Sequence, residues 1–253
     1  MIFNGIEKNS LIEWPGKVSA VLFLGGCSFR CPFCYNRGLV LDYKKLPAFS
    51  EQKILLFLEK RKKFLDGIMI TGGEPLLVVR VEELIAFIKK VKELGLGVGL
   101  ETNGSNPVAL KKLLDQKLID YVAMDIKAPI SSPRSGATKS SVRRIGGQPS
   151  SKYQELSGSK IEVKTIKKSI KLIKNSGLNY EFRTTVAPLL KEEDVLQIAK
   201  ELKGVKKFVL QVFRPVDSLI DSRLAKMKIF SREDLDAIGQ KIKDNFERFE
   251  IRG

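Results

Sequence analysis

Histidine is absent from this chain, and cysteine occurs only at Cys27, Cys31 and Cys34, all inside the run GGCSFRCPFCYN. No further Cys or His is left to act as a fourth protein ligand for a metal bound there. A structural zinc site normally closes with four ligands, so one here would need a carboxylate or a second chain, because the usual second Cys pair or His pair is missing. The odd count argues against disulfides, as do the lack of a stretch that reads as a secretion signal and a composition of cytosolic type. Long apolar runs are also lacking: nothing approaches the ~20 residues that span a bilayer. The expectation is a soluble, cytoplasmic protein. Acidic residues are in short supply, 29 against 45 basic ones, for a formal charge of +16. That surplus suggests attraction to polyanions, although abundant Lys and Glu with few Gln and no His also describe a thermophile's solvated surface.

What is present is a C-x3-C-x2-C spacing. Three thiolates on a short loop can hold three irons of a cubane [4Fe-4S] cluster, leaving the fourth iron without a protein ligand and open to a small molecule. A cluster with an exposed iron is oxygen-sensitive, which points to an oxygen-poor cell. The competing readings are a zinc site completed from elsewhere and three buried thiols acting as small apolar residues.

With 253 residues, 43% of them hydrophobic, the chain can bury one sizeable core, and one catalytic domain is expected. Short β-rich runs alternate with helical periodicity. Val18 to Leu24 is continuously apolar, as in a strand covered on both faces. Ser50 caps a helix whose apolar residues Ile54, Leu55, Leu58 and Phe64 are interspersed with Lys and Glu. Strands follow at Gly67–Ile70, Gly97–Leu100, Tyr121–Met124, Tyr180–Val186 and Lys207–Gln211. Helices are expected through Leu84, Ile85, Ile88 and Val91, and over Pro107–Gln116, Thr165–Asn175 and Lys191–Leu202. Repeated βα units give a parallel sheet with helices outside. Six strands are too few for a closed eight-stranded barrel, so the predicted fold is α/β, a partial (β/α)6 TIM-like barrel. Cys27, Gly72, Glu101, Asp125 and Arg214 each follow a strand end, the usual place for ligands in such sheets.

The cysteine spacing, with Phe33 just before Cys34, resembles the radical S-adenosylmethionine superfamily. That resemblance implies that the open iron is chelated by S-adenosylmethionine, and that one electron from the cluster cleaves the sulfonium to methionine and a 5′-deoxyadenosyl radical, which takes a hydrogen atom from a substrate. Gly72, Gly73 and Glu74, followed by Pro75, are similar to the family motif whose backbone holds the methionine amino group; read alone they form a loop after a strand. Phe33 and Tyr35 occupy places that contact adenine in the family, or else are core aromatics.

Glu101-Thr102-Asn103-Gly104 and Asp125-Ile126-Lys127 resemble the D-T-N-G and D-x-K motifs of glycyl radical enzyme activating enzymes. The resemblance implies a monovalent cation near Glu101, Thr102 and Asp125, with Lys127 on the S-adenosylmethionine carboxylate. Glu101 replaces the more usual Asp. Without the family, each segment reads as a strand-end turn. Arg183 resembles the arginine near the ribose and carboxylate, or pairs with Glu181. Some relatives carry a histidine after the sixth strand, where this chain offers Gln211 or Arg214. Ser10 to Gly16, SLIEWPG, is similar to the opening of anaerobic ribonucleoside-triphosphate reductase activating proteins.

Residues 131–154 contain no acid and carry Arg134, Lys139, Arg143 and Arg144 among Ser, Gly and Pro. They read as a basic, mobile insertion. The resemblance implies a glycyl radical enzyme as protein substrate, such as anaerobic ribonucleotide reductase. It also implies an external electron donor of the flavodoxin or ferredoxin kind, since no second cysteine cluster exists for internal relay. Two alternatives stay open: modification of a tRNA or nucleotide, although basic residues without interleaved aromatics argue against a nucleic-acid platform, and a non-enzymatic, metal-bearing interaction module.

Overall fold

A computed structural model describes residues 1–131, 144–145, 148–149 and 151–253. In chain order the elements are β1 (Ile2–Phe3), β2 (Gly5–Ser10), β3 (Ser19–Leu24), α1 (Arg37–Leu41), β4 (Phe49–Ser50), α2 (Glu51–Arg61), β5 (Gly67–Gly72), α3 (Val81–Glu93), β6 (Gly97–Thr102), α4 (Pro107–Asp115), β7 (Tyr121–Asp125), β8 (Arg144–Ile145), β9 (Gln148–Pro149), α5 (Lys152–Ser157), α6 (Val163–Lys174), β10 (Asn179–Val186), α7 (Glu192–Glu201), β11 (Lys207–Val212), α8 (Arg232–Ile242) and β12 (Arg248–Arg252). All six expected strands form, as β3, β5, β6, β7, β10 and β11, with helices between them. This is the mixed α/β architecture, mostly parallel, of a partial TIM-like barrel. Among the described residues no helix is long and apolar enough to cross a membrane. Of the basic insertion, residues 132–143, 146–147 and 150, with Arg134, Lys139 and Arg143, lie outside the described residues.

Packing divides the chain into two compact units, the first comprising Met1–Ser28, Asn36–Ala123 and Ser169–Tyr180, the second Phe29–Tyr35, Met124–Lys168 and Glu181–Gly253. In the first, the strand order is β7-β6-β5-β3-β2, with β3, β5 and β6 parallel and β2 antiparallel at the edge. The period of two separates the faces. Ala20, Leu22, Leu24, Ile68, Ile70, Val98 and Leu100 are fully buried on the side that strand alternation sets opposite Val21, Met69 and Gly99. On that second side, Trp14 stacks on Tyr121 at 5.8 Å between ring centroids and packs with Val21, Met69 and Ala123. A Cβ at Gly67 or Gly97 would approach the Trp14 ring to 2.8 or 2.9 Å, so the strands are glycine where the indole lies on them. Ser50 caps α2 by accepting from the Lys53 amide at 3.4 Å, as its sequence position predicts. Phe64 departs from expectation: α2 ends at Arg61, and Phe64 is 68% exposed beneath the Arg61 guanidinium rather than on the buried helix face.

In the second unit the order is β12-β11-β10-β7, with β10, β11 and β12 parallel. Phe182 and Val186 of β10 and Phe208, Val209 and Leu210 of β11 are buried, the apolar positions of β10 alternating with Glu181, Arg183 and Thr185. Fully buried Glu181 accepts from Arg252 Nη1 and Nη2 at 2.9 and 3.1 Å and pairs with Lys207 at 3.1 Å. Both cations also reach Glu250, which ties the final strand into the sheet.

Candidate active site

The first unit carries Cys27 just beyond β3, beside the loop that leaves β5. Gly72 sits at φ +126°, and a Cβ there would meet the Leu24 carbonyl oxygen at 2.3 Å; at Gly73 it would meet the Gly26 carbonyl oxygen at 2.0 Å. Both positions require glycine because the two strand-end loops run backbone against backbone. The Gly73 and Glu74 amides donate to the Leu24 and Gly26 carbonyls, each at 2.8 Å. The Glu74 side chain is fully buried and turned inward. Its carboxylate accepts from Leu76 N at 2.9 Å, Thr102 Oγ1 at 2.8 Å and Asn103 N at 2.7 Å. Glu74 therefore holds the end of β6 to the Gly-Gly-Glu loop.

Asn103, fixed in this way, directs Nδ2 at Cys27 Sγ (3.6 Å) and Ser28 Oγ (3.1 Å). Glu101 and Thr102 are adjacent in β6 and point to opposite faces. Glu101 accepts from Thr71 Oγ1 at 2.6 Å, whereas the Thr102 hydroxyl is spent on Glu74. Among the described residues no three His, Cys, Asp or Glu side chains are gathered around one point so as to hold a single metal ion; cubane ligands differ in that each thiolate takes its own iron.

The second unit carries Cys31 and Cys34, with the Cys34 amide donating to the Cys31 carbonyl at 3.0 Å. None of the three cysteines is in a disulfide. Lys127 lies over the Phe33 ring, Nζ 5.8 Å from its centroid. At the end of β7, Asp125 accepts from Lys127 Nζ at 2.9 Å and from Arg183 Nε at 3.0 Å. Arg183 and Lys127 are largely covered, with 6% and 14% of their side chains exposed. Burial works to raise the Asp125 carboxyl, yet the two cations outweigh it and hold it at about 2. Burial likewise works to deprotonate Lys127, but Asp125 and the sulfurs of Cys31 and Cys34 keep it charged well above the usual lysine range. Tyr35 is partly exposed, stacks on Phe213 at 5.9 Å and accepts the Arg214 amide at 2.7 Å through its hydroxyl. Gln211 accepts from Thr185 Oγ1 at 3.2 Å.

Three residues escaped the sequence reading. Arg80 donates to the Gly25 carbonyl at 2.6 Å and steadies the approach to Cys27. Thr71 engages Glu101. Tyr153 is fully buried on α5, and burial pushes its hydroxyl well above the usual tyrosine range. Only Thr71 had a signal, since it precedes Gly72 on the same strand.

Residues 21–202 match the family model described as the Radical SAM superfamily. The chain is 32% identical over 257 residues, covering 99% of itself and 95% of the relative, to the "Putative glycyl-radical enzyme activating enzyme MJ1227" of Methanocaldococcus jannaschii. It is 27% identical over 244 residues, 89% of this chain and 85% of the relative, to 7-carboxy-7-deazaguanine synthase of Thermococcus kodakarensis. Among solved structures, TYW1 with a lysine-pyruvate adduct bound shares the fold at a TM-score of 0.57 and 15% identity, covering 90% of this chain and 74% of that one. The family model spans most of the chain and the Methanocaldococcus relative all but its full length, so this protein is a radical SAM enzyme, a member of the radical SAM superfamily.

Proposed function

We propose that the chain activates a glycyl radical enzyme by drawing a hydrogen atom from a glycine of that partner. The observation that carries this reading is the full-length similarity to the Methanocaldococcus protein. Family membership implies a [4Fe-4S] cluster and S-adenosylmethionine, which together supply a one-electron cleavage to methionine and a 5′-deoxyadenosyl radical.

The donor set fits those groups. Cys27, Cys31 and Cys34 are the cluster ligands in this reading. Asn103 offers Cys27 an amide N–H, and the Lys127 ammonium stands near Cys31 and Cys34; metal-bound thiolates favour such neighbours. Phe33, Tyr35, Gly72, Gly73, Asn103, Asp125, Lys127 and Arg183 serve S-adenosylmethionine, with Glu74 and Thr102 positioning them from behind. Lys127 and Arg183 together outnumber Asp125 by one positive charge, which suits a bound carboxylate in a site partly withdrawn from water. A monovalent cation drawing on Glu101, Thr102 and Asp125 belongs to this reading as well. The partner enzyme, ribonucleotide reductase or another, and a flavodoxin- or ferredoxin-like reductant belong to this reading too.

A second reading, chemistry on a nucleobase-like molecule or an RNA, is favoured by the similarity to the deazaguanine synthase across 89% of the chain. One experiment separates the two: anaerobic reconstitution, then assay of S-adenosylmethionine cleavage under a strong reductant, with and without a candidate glycyl radical enzyme from the same cell. Cleavage together with a partner-dependent glycyl radical signal in electron paramagnetic resonance is expected. Cleavage that is stimulated only by a nucleobase or RNA would overturn activation in favour of the second reading.

A further inference from the structure

Between β6 and α4 the chain makes a tight turn that is clamped from several sides. Glu74 holds the Asn103 backbone amide at 2.7 Å. Gly104 takes φ +74°, and its carbonyl accepts from the fully buried Ser169 hydroxyl at 2.7 Å. Asn106 then caps α4 and donates to the Leu76 carbonyl at 2.8 Å. Asn103, only 6% exposed, therefore projects its side chain from a fixed backbone.

The orientation of that side chain is fixed as well. Oδ1 accepts from Ser105 N at 2.9 Å, so the other end of the amide, Nδ2, faces Cys27 Sγ at 3.6 Å and Ser28 Oγ at 3.1 Å. Reversing the amide would set N–H against N–H at Ser105 and take this donor away from the sulfur. The turn by itself does not call for the donor: Asp makes the same bond from side chain to backbone, and Ser a weaker version of it. What asparagine adds is an N–H aimed at sulfur. A neutral thiol is a weak acceptor, whereas a metal ligand is deprotonated and carries the charge that strengthens such a bond.

We propose that the Asn103 side-chain N–H donates to the Cys27 sulfur in its cluster-bound form, making Asn103 a positioning residue that sets the cluster's reduction potential. The inference deepens the reading of Cys27 as a cluster ligand and rests on it; within that reading the side chain acts on the cluster besides serving S-adenosylmethionine. A donor to the sulfur stabilises the extra negative charge of the reduced cluster and raises its potential, since hydrogen bonds to sulfur are one of the protein's means of setting it.

The test compares Asn103→Ser with wild type, both reconstituted anaerobically and kept free of S-adenosylmethionine. Serine retains a hydroxyl acceptor for the turn but lacks the N–H over the sulfur. Iron and sulfide content are read, then midpoint potential by redox titration followed with electron paramagnetic resonance. Equal cluster content with a more negative potential is expected. An unchanged potential overturns the proposal, and so does a more positive one, the shift that a loosened turn admitting water to the cluster would give. A second measurement needs no cluster in the serine variant: pulsed resonance on the reduced cluster of protein made with asparagine whose side-chain nitrogen carries the heavy isotope. It is done in an Asn36→Ser background, because Asn36 also neighbours the cysteine run. A coupled nitrogen is expected, and its absence overturns the proposal. Wild type without iron and sulfide, or a Cys27→Ala variant that keeps both in full, would instead defeat the ligand reading on which the proposal stands.

Discussion

The two cysteine segments, Cys27 in the first unit and Cys31 with Cys34 in the second, lie in surroundings built on opposite electrostatic plans. Around Cys27 the polar groups are consumed by one another: Glu74 is held by two backbone amides and a threonine hydroxyl, Glu101 by a second threonine, and Asn103 reaches the sulfur with a neutral amide. Around Cys31 and Cys34 the groups are ionic, with Asp125 between Lys127 and Arg183. The neutral net fixes backbone, because its acceptor bonds main-chain atoms that cannot rotate away. The ionic group leaves a positive surplus, because one carboxylate cannot neutralise two cations. The first suits holding a loop in shape and the second attracting an anion, two tasks that a single arrangement would do poorly.

Breaking the ionic group should cost most. Asp125→Ala leaves Arg183 and Lys127 covered without their partner and is expected to destabilise the protein by about 3 kcal/mol, measured by chemical denaturation, and to weaken S-adenosylmethionine binding by misplacing both cations. Glu74→Gln keeps the shape of the neutral net but gives an acceptor position an N–H; a loss of about 2 kcal/mol is expected in thermal melts, with the protein's salt dependence unaltered.

Acid sharpens the contrast. The Asp125 carboxyl is held at about 2, below its ordinary value, so its stabilising contribution is complete above the ordinary carboxylate range and is lost as pH falls through about 2. Asp125→Asn should therefore flatten the stability curve between about pH 4 and pH 2, a slope that denaturant midpoints taken across that interval would reveal. The smallest effect belongs to Tyr35→Phe, which removes the acceptor of the Arg214 amide at a partly exposed position: about 1 kcal/mol or less, visible as a small shift in the melting midpoint.

Much of this was legible in the residues. Strands β3, β5, β6 and β7 announce themselves as apolar runs because both their faces are covered, and the cysteine spacing carries its chemistry on the surface of the sequence. The edge strands were not legible. β2 reads GIEKNS and β12 reads RFEIR, polar patterns that become strands through their neighbours, β12 above all through the pairing of Arg252 with buried Glu181. The motif around Glu74 could be recognised, but not the direction of its side chain, which depends on where β6 ends. Arg183 had two acids within plausible reach, Glu181 and Asp125. Strand alternation puts Glu181 and Arg183 on one face, and the register of β12 brings Arg252 to Glu181, leaving Arg183 for Asp125. Tyr153 was hidden by following directly on a basic stretch of low information.

The indole of Trp14, laid across glycine strands and stacked on Tyr121, has an experimental use. As the sole tryptophan of the chain, it emits from one of the two packing units alone. Its fluorescence is a private reporter on the strands that lead to Cys27, whereas circular dichroism sums over every helix. If the two signals are lost at the same denaturant concentration, the units melt as one; if the emission shifts first or last, the unit that holds Cys27 melts separately from the other.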